Sequence, residues 1–185
     1  TFFSGICFDH RKIKKNYIFF AIKGNNLDGN NFISSVIKKG CKIIVTEKNF
    51  DEWKNGVLFI NTKNIRKLLA QISFSIFKKK PNNLIAVTGT NGKSSVSDFY
   101  YQILNLNNKK VASIGTLGVR SNNFNLNLFN TTVDPIYLGK ILNELKKRKI
   151  ENVIMEASSH GLHQNRLDGL FFNSAIFTNL SQDHL

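Results

Sequence analysis

The sequence of 185 residues has little cysteine and no long hydrophobic stretch. Its two cysteines, Cys7 and Cys41, form no CxxC pair, and no secretory signal precedes them, which favours a reduced, cytoplasmic setting. The apolar run at residues 17–22 is far shorter than the ~20 residues that cross a bilayer, so we expect no membrane partner. Apolar residues still make up 42% of the chain, which is typical of a globular protein with a buried core.

Acidic residues are also scarce, because 26 lysines and arginines stand against 12 aspartates and glutamates and give a formal net charge of +14. Clustered cations would indicate nucleic-acid binding, since they neutralise phosphates and release counterions. Here the lysines occur in short scattered groups, arginine is scarce and asparagine is abundant, a bias typical of an AT-rich genome. We find no aromatic residues interleaved with cations on one face and expect no nucleic-acid partner, although the charge favours anionic small ligands.

Proline is rare, and Pro81 lies in a polar connector at residues 78–83 that divides the chain into predicted domains 1–80 and 81–185. Both domains are predicted to be α/β, because strands alternate with helices. The sheet of the second domain is predicted to be mostly parallel. Strands are predicted at residues 17–22, 42–46, 57–60, 84–88, 110–114, 153–156 and 174–177. Helices are predicted at residues 31–39, 64–77, 93–106 and 134–147. Residues 122–130 are predicted to be a hairpin or a mobile loop.

A glycine-rich turn between a predicted strand and a predicted helix carries the strongest functional signal. Its glycines allow successive N–H groups to point at phosphate oxygens, and the helix N-terminus adds a favourable partial charge. Lys93 can reach the β- and γ-phosphates, and Ser94 can bind Mg²⁺. The strict pattern GxxxxGK[ST] requires glycine at position 87, where this chain has Val87, so the strand–turn–helix context supports the assignment. We predict that ATP binds here, at Gly89, Thr90, Asn91, Gly92, Lys93, Ser94 and Ser95.

Further motifs make the chain similar to the Mur ligases, and within them to the MurE-type ligases. The TGTNGK[ST] loop is shared by all Mur ligases and by folylpolyglutamate synthases. More specific are the run E-x-SSHGL-x-Q-x-R at residues 156–166 and three N-terminal motifs: D-x-R at residues 9–11, FxAxxG at 19–24 and DG-x-x-F at 28–32. The resemblance covers essentially the whole chain. It implies a small N-terminal α/β domain that binds UDP, followed by a mostly parallel P-loop-type ATPase sheet that is truncated.

The resemblance also implies a reaction. ATP phosphorylates the γ-carboxylate of D-Glu in UDP-N-acetylmuramoyl-L-Ala-D-Glu, and the amine of an amino acid then attacks the acyl phosphate. That amino acid is meso-diaminopimelate or L-lysine. Because the closing third domain of the family is missing, we expect the chain alone to be inactive, and we expect a monomer.

Site residues follow from the same resemblance. The resemblance implies that Lys93 is the catalytic residue and that Ser94, Glu156 and His184 hold Mg²⁺. Because Glu156 and His184 come after two parallel strands, we expect them to lie at the same edge of the sheet. His10 stands where the family usually has serine, and His160 is assigned to a structural turn. The substrate-binding residues implied are Phe8, His10, Asn25, Asn26, Leu27, Asn130, Thr131, Thr132, Ser158, Gln164 and Arg166.

Two other functions remain open on the sequence. One is another Mur ligase or a folylpolyglutamate-synthase-like ligase, which the uridine-site motifs and the SSHGL run disfavour. The other is a non-catalytic nucleotide-binding or nucleic-acid-binding module that would use the positive charge.

Overall fold

The computed structural model describes residues 3–181, and within them the chain forms two α/β units. The first unit ends at Leu69 and the second begins at Ala70. Each contains a five-stranded sheet whose strands are parallel except for one antiparallel edge strand. None of the helices in this part of the chain is long and apolar enough to span a membrane.

The first sheet is formed by short strands between which the chain crosses over. Its strands are β1 (Gly5–Cys7), β2 (Tyr17–Phe20), β3 (Ile43–Thr46), β4 (Trp53–Lys54) and β5 (Val57–Asn61). They lie in the order β1-β2-β3-β5-β4, with only β4 antiparallel to its neighbour. A 3-10 turn (Gly29–Phe32) leads into α1 (Ile33–Lys38), and α2 (Ile65–Ile76) follows β5. The core of this unit buries Phe19, Val36, Ile44 and Phe59.

In the second sheet the phosphate-loop strand is second from one edge. Its strands are β6 (Asn83–Thr88), β7 (Val111–Gly115), β8 (Gly118–Ser121), β9 (Asn152–Glu156) and β10 (Ser174–Phe177). They lie in the order β10-β6-β9-β7-β8, and only β8 is antiparallel. Its helices are α3 (Lys93–Leu106), α4 (Pro135–Lys147) and α5 (Ser159–His163). Parallel pairing brings the carboxyl ends of β6, β7 and β9 to one edge of the sheet.

Every strand and helix predicted from the sequence is present, with ends that differ by at most two residues. The α/β class and the mostly parallel sheets are confirmed. The strands β1, β4 and β8 were not predicted, because they contain only two to four residues and show little apolar periodicity. Residues 122–130 fold back along β8, where Leu126 pairs with Val119, and they pack apolar side chains against the second core.

One predicted turn is a helix. We expected His160 to lie in a turn, but Ser159–His163 forms the short helix α5. Its N-cap is Ser158, whose hydroxyl accepts a hydrogen bond from the Gly161 N–H at 3.1 Å. A serine at the N-cap satisfies one of the N–H groups that a helix start leaves without an intrahelical acceptor, which is why so short a helix forms here.

Candidate functional site

The phosphate loop connects the end of β6 to the start of α3. Gly89 has φ = +134°, and a Cβ added to it would lie 2.1 Å from the Thr178 hydroxyl oxygen, so only glycine fits. The Lys93 ammonium donates to the carbonyl oxygens of Gly89 at 2.7 Å and Thr90 at 2.9 Å. Its charge therefore lies beside the loop, at the N-terminal end of α3, where an anion is favoured.

Glu156 ends β9, the strand next to the phosphate-loop strand, and its side chain is only 3% exposed. Its Oε2 accepts hydrogen bonds from the hydroxyls of Ser94 and Thr116, each at 3.0 Å. Its Oε1 accepts from the Thr116 N–H at 3.1 Å. A Cβ at Gly115 would lie 2.1 Å from this oxygen, so the backbone of β7 approaches the carboxylate as closely as glycine allows. The carboxylate is thus held in one orientation beside Ser94.

The oxygen donors around Glu156 fit a magnesium ion. Among the described residues no lysine, arginine or histidine forms an ion pair with this buried carboxylate, and a buried charge needs a counter-ion. The Ser94 and Glu156 oxygens lie 3.0 Å apart, close to the spacing of about 2.9 Å between adjacent ligands in an octahedral Mg²⁺ shell. His184, the third predicted ligand, lies outside the described residues, so its place beside Glu156 stays a prediction.

Two of the predicted substrate residues, Thr131 and Thr132, form hydrogen bonds close to Glu156. The hydroxyls of Thr131 and Thr116 are 3.0 Å apart. Thr116 donates to Glu156, so the proton between the two threonines comes from Thr131. The buried Thr132 hydroxyl donates to the Glu156 carbonyl oxygen at 3.0 Å and lies 3.1 Å from the Ser158 hydroxyl. Asn130 precedes them in an exposed bend.

Arg166 and Gln164 complete this group in the second unit. The Arg166 guanidinium donates to the Thr132 carbonyl oxygen and to Gln164 Oε1, the latter from Nη2 at 2.8 Å and from Nε at 3.1 Å. The structure therefore brings together Thr131, Thr132, Ser158, Gln164 and Arg166, all named from the sequence. A positive guanidinium beside two hydroxyls suits the binding of a carboxylate.

The predicted uridine-binding residues lie in the first unit. Phe8 and His10 follow β1, and residues 25–27 follow β2; these two strands are parallel neighbours, so both segments leave the same edge of the sheet. The His10 ring stacks on Phe32 with 3.7 Å between ring centroids, so the histidine is held by an aromatic neighbour. Asn25, Asn26 and Leu27 are exposed in a turn closed by the Gly24 N–H and the Leu27 carbonyl oxygen.

The D-x-R motif forms a local ion pair after β1. Arg11 donates to the two Asp9 carboxylate oxygens from Nε and Nη2, each at 2.9 Å. This pairing lowers the pKa of Asp9 to about 2. His10 lies between Asp9 and Arg11 in the sequence, so this ion pair fixes the loop that carries it.

Three residues that contact the site were not assigned to it from the sequence. Thr116 binds both oxygens of Glu156, and Thr178 and Asn179 contact the phosphate loop. All three directly follow parallel strands, β7 and β10, on the edge that bears the phosphate loop. The rule that selected Glu156, a polar residue at the carboxyl end of a parallel strand, would have found them as well.

Comparison with known proteins agrees with this architecture. The family described as Mur ligase family, catalytic domain, matches residues 3–75, and the one described as Mur ligase middle domain matches residues 87–185. The second match alone accounts for more than half of the chain. The chain belongs to the Mur ligase family.

Two relatives and one solved structure indicate which kind of Mur ligase the chain is similar to in sequence and fold. The chain is 43% identical to UDP-N-acetylmuramoyl-L-alanyl-D-glutamate–2,6-diaminopimelate ligase of Rickettsia felis over 98% of this chain and 35% of that protein. It is 40% identical to the ligase of the same name from Fusobacterium nucleatum, over 99% of this chain and 38% of that protein. A solved structure of such a ligase superimposes with a TM-score of 0.84 at 29% identity, covering 99% of this chain and 37% of the other. The chain thus spans little more than a third of these relatives.

Proposed function

We propose that this chain carries the nucleotide-binding part and the UDP-substrate-binding part of a ligase that extends UDP-N-acetylmuramoyl-L-Ala-D-Glu by its third amino acid. One observation carries the proposal: Glu156 is hydrogen-bonded on one side to Ser94 of the phosphate loop and on the other to Thr116, which contacts Thr131. A phosphoryl donor and a carboxylate acceptor bound at these two places would be neighbours. Such proximity is the main requirement of phosphoryl transfer.

In this proposal Lys93 neutralises charge on the phosphates, and Ser94 and Glu156 hold Mg²⁺ together with His184. When bound, the metal supplies further positive charge against the phosphate oxygens. Gly89, Thr90, Asn91, Gly92 and Ser95 complete the nucleotide site. In the first step the D-Glu γ-carboxylate takes the γ-phosphoryl group of ATP and ADP is released. The amine of the incoming amino acid then attacks this acyl phosphate, forms the amide and displaces phosphate.

The substrate's peptide end is assigned to the second unit and its uridine end to the first. Arg166 is the cation suited to a peptide carboxylate, with Asn130, Thr131, Thr132, Ser158 and Gln164 around it. Phe8, His10 and residues 25–27 are assigned to the uridine, on a domain that extends to residue 80. The names of the relatives support diaminopimelate rather than lysine as the incoming amino acid. The small number of cysteines and the lack of a CxxC pair support a reduced, cytoplasmic setting, and we propose a monomer.

Substitution of Lys93 tests the nucleotide assignment. Lys93→Ala removes the one loop ammonium that lies beside the Gly89 and Thr90 carbonyls, so we expect ADP binding by calorimetry to be lost. The thermal unfolding midpoint should fall by a few degrees at most, because the variant loses two hydrogen bonds to loop carbonyls and no ion pair. Lys140→Ala, on the exposed side of α4, is the matched control and should bind ADP normally. Normal ADP binding by the Lys93→Ala chain, or normal ATP turnover by the complete ligase with this substitution, would contradict the proposal.

The substrate assignment needs a separate measurement. In the complete ligase, UDP-N-acetylmuramoyl-L-Ala-D-Glu and ATP should yield a tripeptide product with diaminopimelate and much less with lysine. Nuclear magnetic resonance of the labelled chain should show shifts at Phe8, His10 and residues 25–27 on addition of the UDP-linked dipeptide. Shifts confined to the second unit would contradict the uridine assignment and leave the ATP assignment unaffected.

A further inference from the structure

The loop that follows β10 lies against the phosphate loop along its whole length. We call residues 178–181 the β10 loop. The Thr178 N–H donates to the Thr88 carbonyl oxygen at 3.0 Å and so continues the pairing of β10 with β6. At the far end, the Ser181 N–H donates to the Thr90 hydroxyl at 3.0 Å, and this hydroxyl donates to the Ser181 carbonyl oxygen at 3.1 Å.

Asn179 makes the central contacts between the two loops. Its side-chain oxygen accepts from the Asn91 N–H at 3.0 Å, and its side-chain nitrogen donates to the Asn91 carbonyl oxygen at 3.1 Å. The same carbonyl oxygen accepts from the Thr178 hydroxyl at 2.6 Å. The Asn179 carbonyl oxygen accepts from the Thr90 N–H at 3.0 Å. Asn179 therefore engages both polar groups of Asn91 and the N–H of Thr90.

These contacts determine how the phosphate loop presents itself to an anion. A loop that binds phosphate must direct N–H groups toward it and carbonyl oxygens away from it. The Asn91 carbonyl is held by two donors from the β10 loop, and the N–H groups of Thr90 and Asn91 point at Asn179. The N–H groups of residues 92–94, at the start of α3, have no acceptor within the helix and so remain available to phosphate oxygens.

We propose that Asn179 is a positioning residue for the nucleotide. It acts on the phosphate through Asn91, by fixing the orientation of the peptide group that precedes Gly92. The close approach at Gly89, where a Cβ would lie 2.1 Å from the Thr178 hydroxyl oxygen and 2.8 Å from the Asn179 carbonyl oxygen, shows how tightly the two loops fit. The inference rests on the proposed ATP-binding function and adds a residue that none of the loop motifs contains.

Asn179→Leu tests this role, because leucine has nearly the same size and makes neither hydrogen bond to Asn91. With two hydrogen bonds lost, we expect ADP affinity, measured by calorimetry on the chain, to fall about tenfold. The amide shifts that ADP induces at residues 92–94 should weaken in parallel. A matched control is Asn173→Leu, which removes the hydrogen bond that the Asn173 side-chain oxygen accepts from the Leu84 N–H at 2.8 Å, at the opposite end of β6. It should lower the unfolding midpoint and leave ADP affinity unchanged.

A second pair of variants keeps the test decisive if Asn179→Leu does not fold. Thr178→Val removes the hydroxyl that donates to the Asn91 carbonyl oxygen and should weaken ADP binding several-fold, whereas Thr178→Ser keeps the hydroxyl and should bind normally. Unchanged ADP affinity in both Asn179→Leu and Thr178→Val would overturn the inference. Equal loss in Asn173→Leu would overturn it as well. Failure of the unsubstituted chain to bind ADP would instead overturn the proposed function.

Discussion

Among single residues, Glu156 has the most demanding surroundings, because it is an almost fully buried carboxylate whose described partners are all neutral. Ser94 and Thr116 supply three hydrogen bonds, and the Thr116 N–H and hydroxyl bind different oxygens of the carboxylate. Removing a carboxylate from water without such partners would cost several kcal/mol. The arrangement therefore fixes the carboxylate in one orientation beside Ser94.

Thr116 can be tested by deleting its hydroxyl while keeping its shape. Thr116→Val loses the bonds to Glu156 Oε2 and Thr131 but keeps the N–H bond to Oε1, so the carboxylate can rotate away from Ser94. We expect the Mg²⁺ concentration that gives half-maximal ligation by the complete enzyme to rise about fivefold to tenfold. Binding of Mn²⁺, followed by electron paramagnetic resonance, should weaken by a similar factor.

Thr116→Ser is the control for that experiment, since serine keeps the hydroxyl and should behave like the unsubstituted enzyme. A valine variant with unchanged metal dependence would show that Thr116 does not orient the carboxylate. A valine variant that raises only the KM for the UDP-linked substrate would assign the residue to substrate binding instead.

The Asp9–Arg11 pair gives a prediction about pH. Hydrogen bonding from Arg11 lowers the native pKa of Asp9 to about 2, below its ordinary value of 3.8. A carboxylate with a lowered native pKa stabilises the fold above its unfolded pKa and loses this contribution as the pH falls from 3.8 to about 2. Because Arg11 is largely exposed, we expect a contribution below about 1 kcal/mol.

Urea unfolding at a series of pH values measures this contribution. Asp9→Asn should be less stable than the unsubstituted chain at pH 5, and the difference should shrink as the pH approaches 2. Asp51→Asn, which alters an exposed carboxylate, should show no such pH-dependent difference. A constant difference for Asp9→Asn across the series would show that the asparagine acts by some means other than the loss of the ion pair.

At the scale of elements, helix α4 positions the segment that carries the substrate threonines. Asp134 is its N-cap and accepts from the Tyr137 N–H at 3.0 Å, and Pro135 opens the first turn. Asp134→Ala should destabilise the second unit by about 1 kcal/mol in urea unfolding, because one N–H at the helix start loses its acceptor. Asp134→Ser restores an acceptor and should recover most of the loss. Equal stability of the alanine and serine variants would rule out capping as the role of Asp134.

The elements also show how far sequence reasoning reaches. The helix start at Lys93 and the strand Ser174–Phe177 were predicted to the residue, because glycines and apolar runs mark them clearly. Val87, the departure from the strict phosphate-loop pattern, is fully buried within β6, so the position where glycine was required belongs to the strand. Short edge strands such as β4 could not be predicted, because they form through pairing with a distant neighbour, β5, and not through a local pattern.

The difference between local patterns and contacts across long sequence distances also applies to the candidate site. Lys93, Ser94 and Glu156 could be named from local motifs and from the rule that ligands bind at the carboxyl ends of parallel strands. The contacts that orient these three side chains could not be predicted from the sequence. Thr116 reaches Glu156 across 40 positions of sequence, and Asn179 reaches Asn91 across 88. Only the order of strands in the sheet places such residues side by side.

For the whole molecule, the two units have separate cores, and helix α2 contributes to both units. The predicted domain boundary after residue 80 assigns all of α2 to the first domain. This boundary stays a prediction, and the buried Ala70 and Phe74 of α2 pack in the second core. Phe59 is the corresponding buried aromatic residue of the first core.

Two matched substitutions decide which unit Phe74 supports. Phe59→Ala and Phe74→Ala each leave a cavity in a buried core and should cost about 3–5 kcal/mol. Measured by amide hydrogen exchange, Phe59→Ala should reduce protection in β2, β3 and β5, and Phe74→Ala should reduce it in β6, β7 and β9. Loss of protection in the first sheet alone on substitution of Phe74 would instead favour the boundary at residue 80. If either variant reduced amide protection in both sheets, the two units would unfold together. Independent units would instead lose protection only in the sheet whose core was substituted.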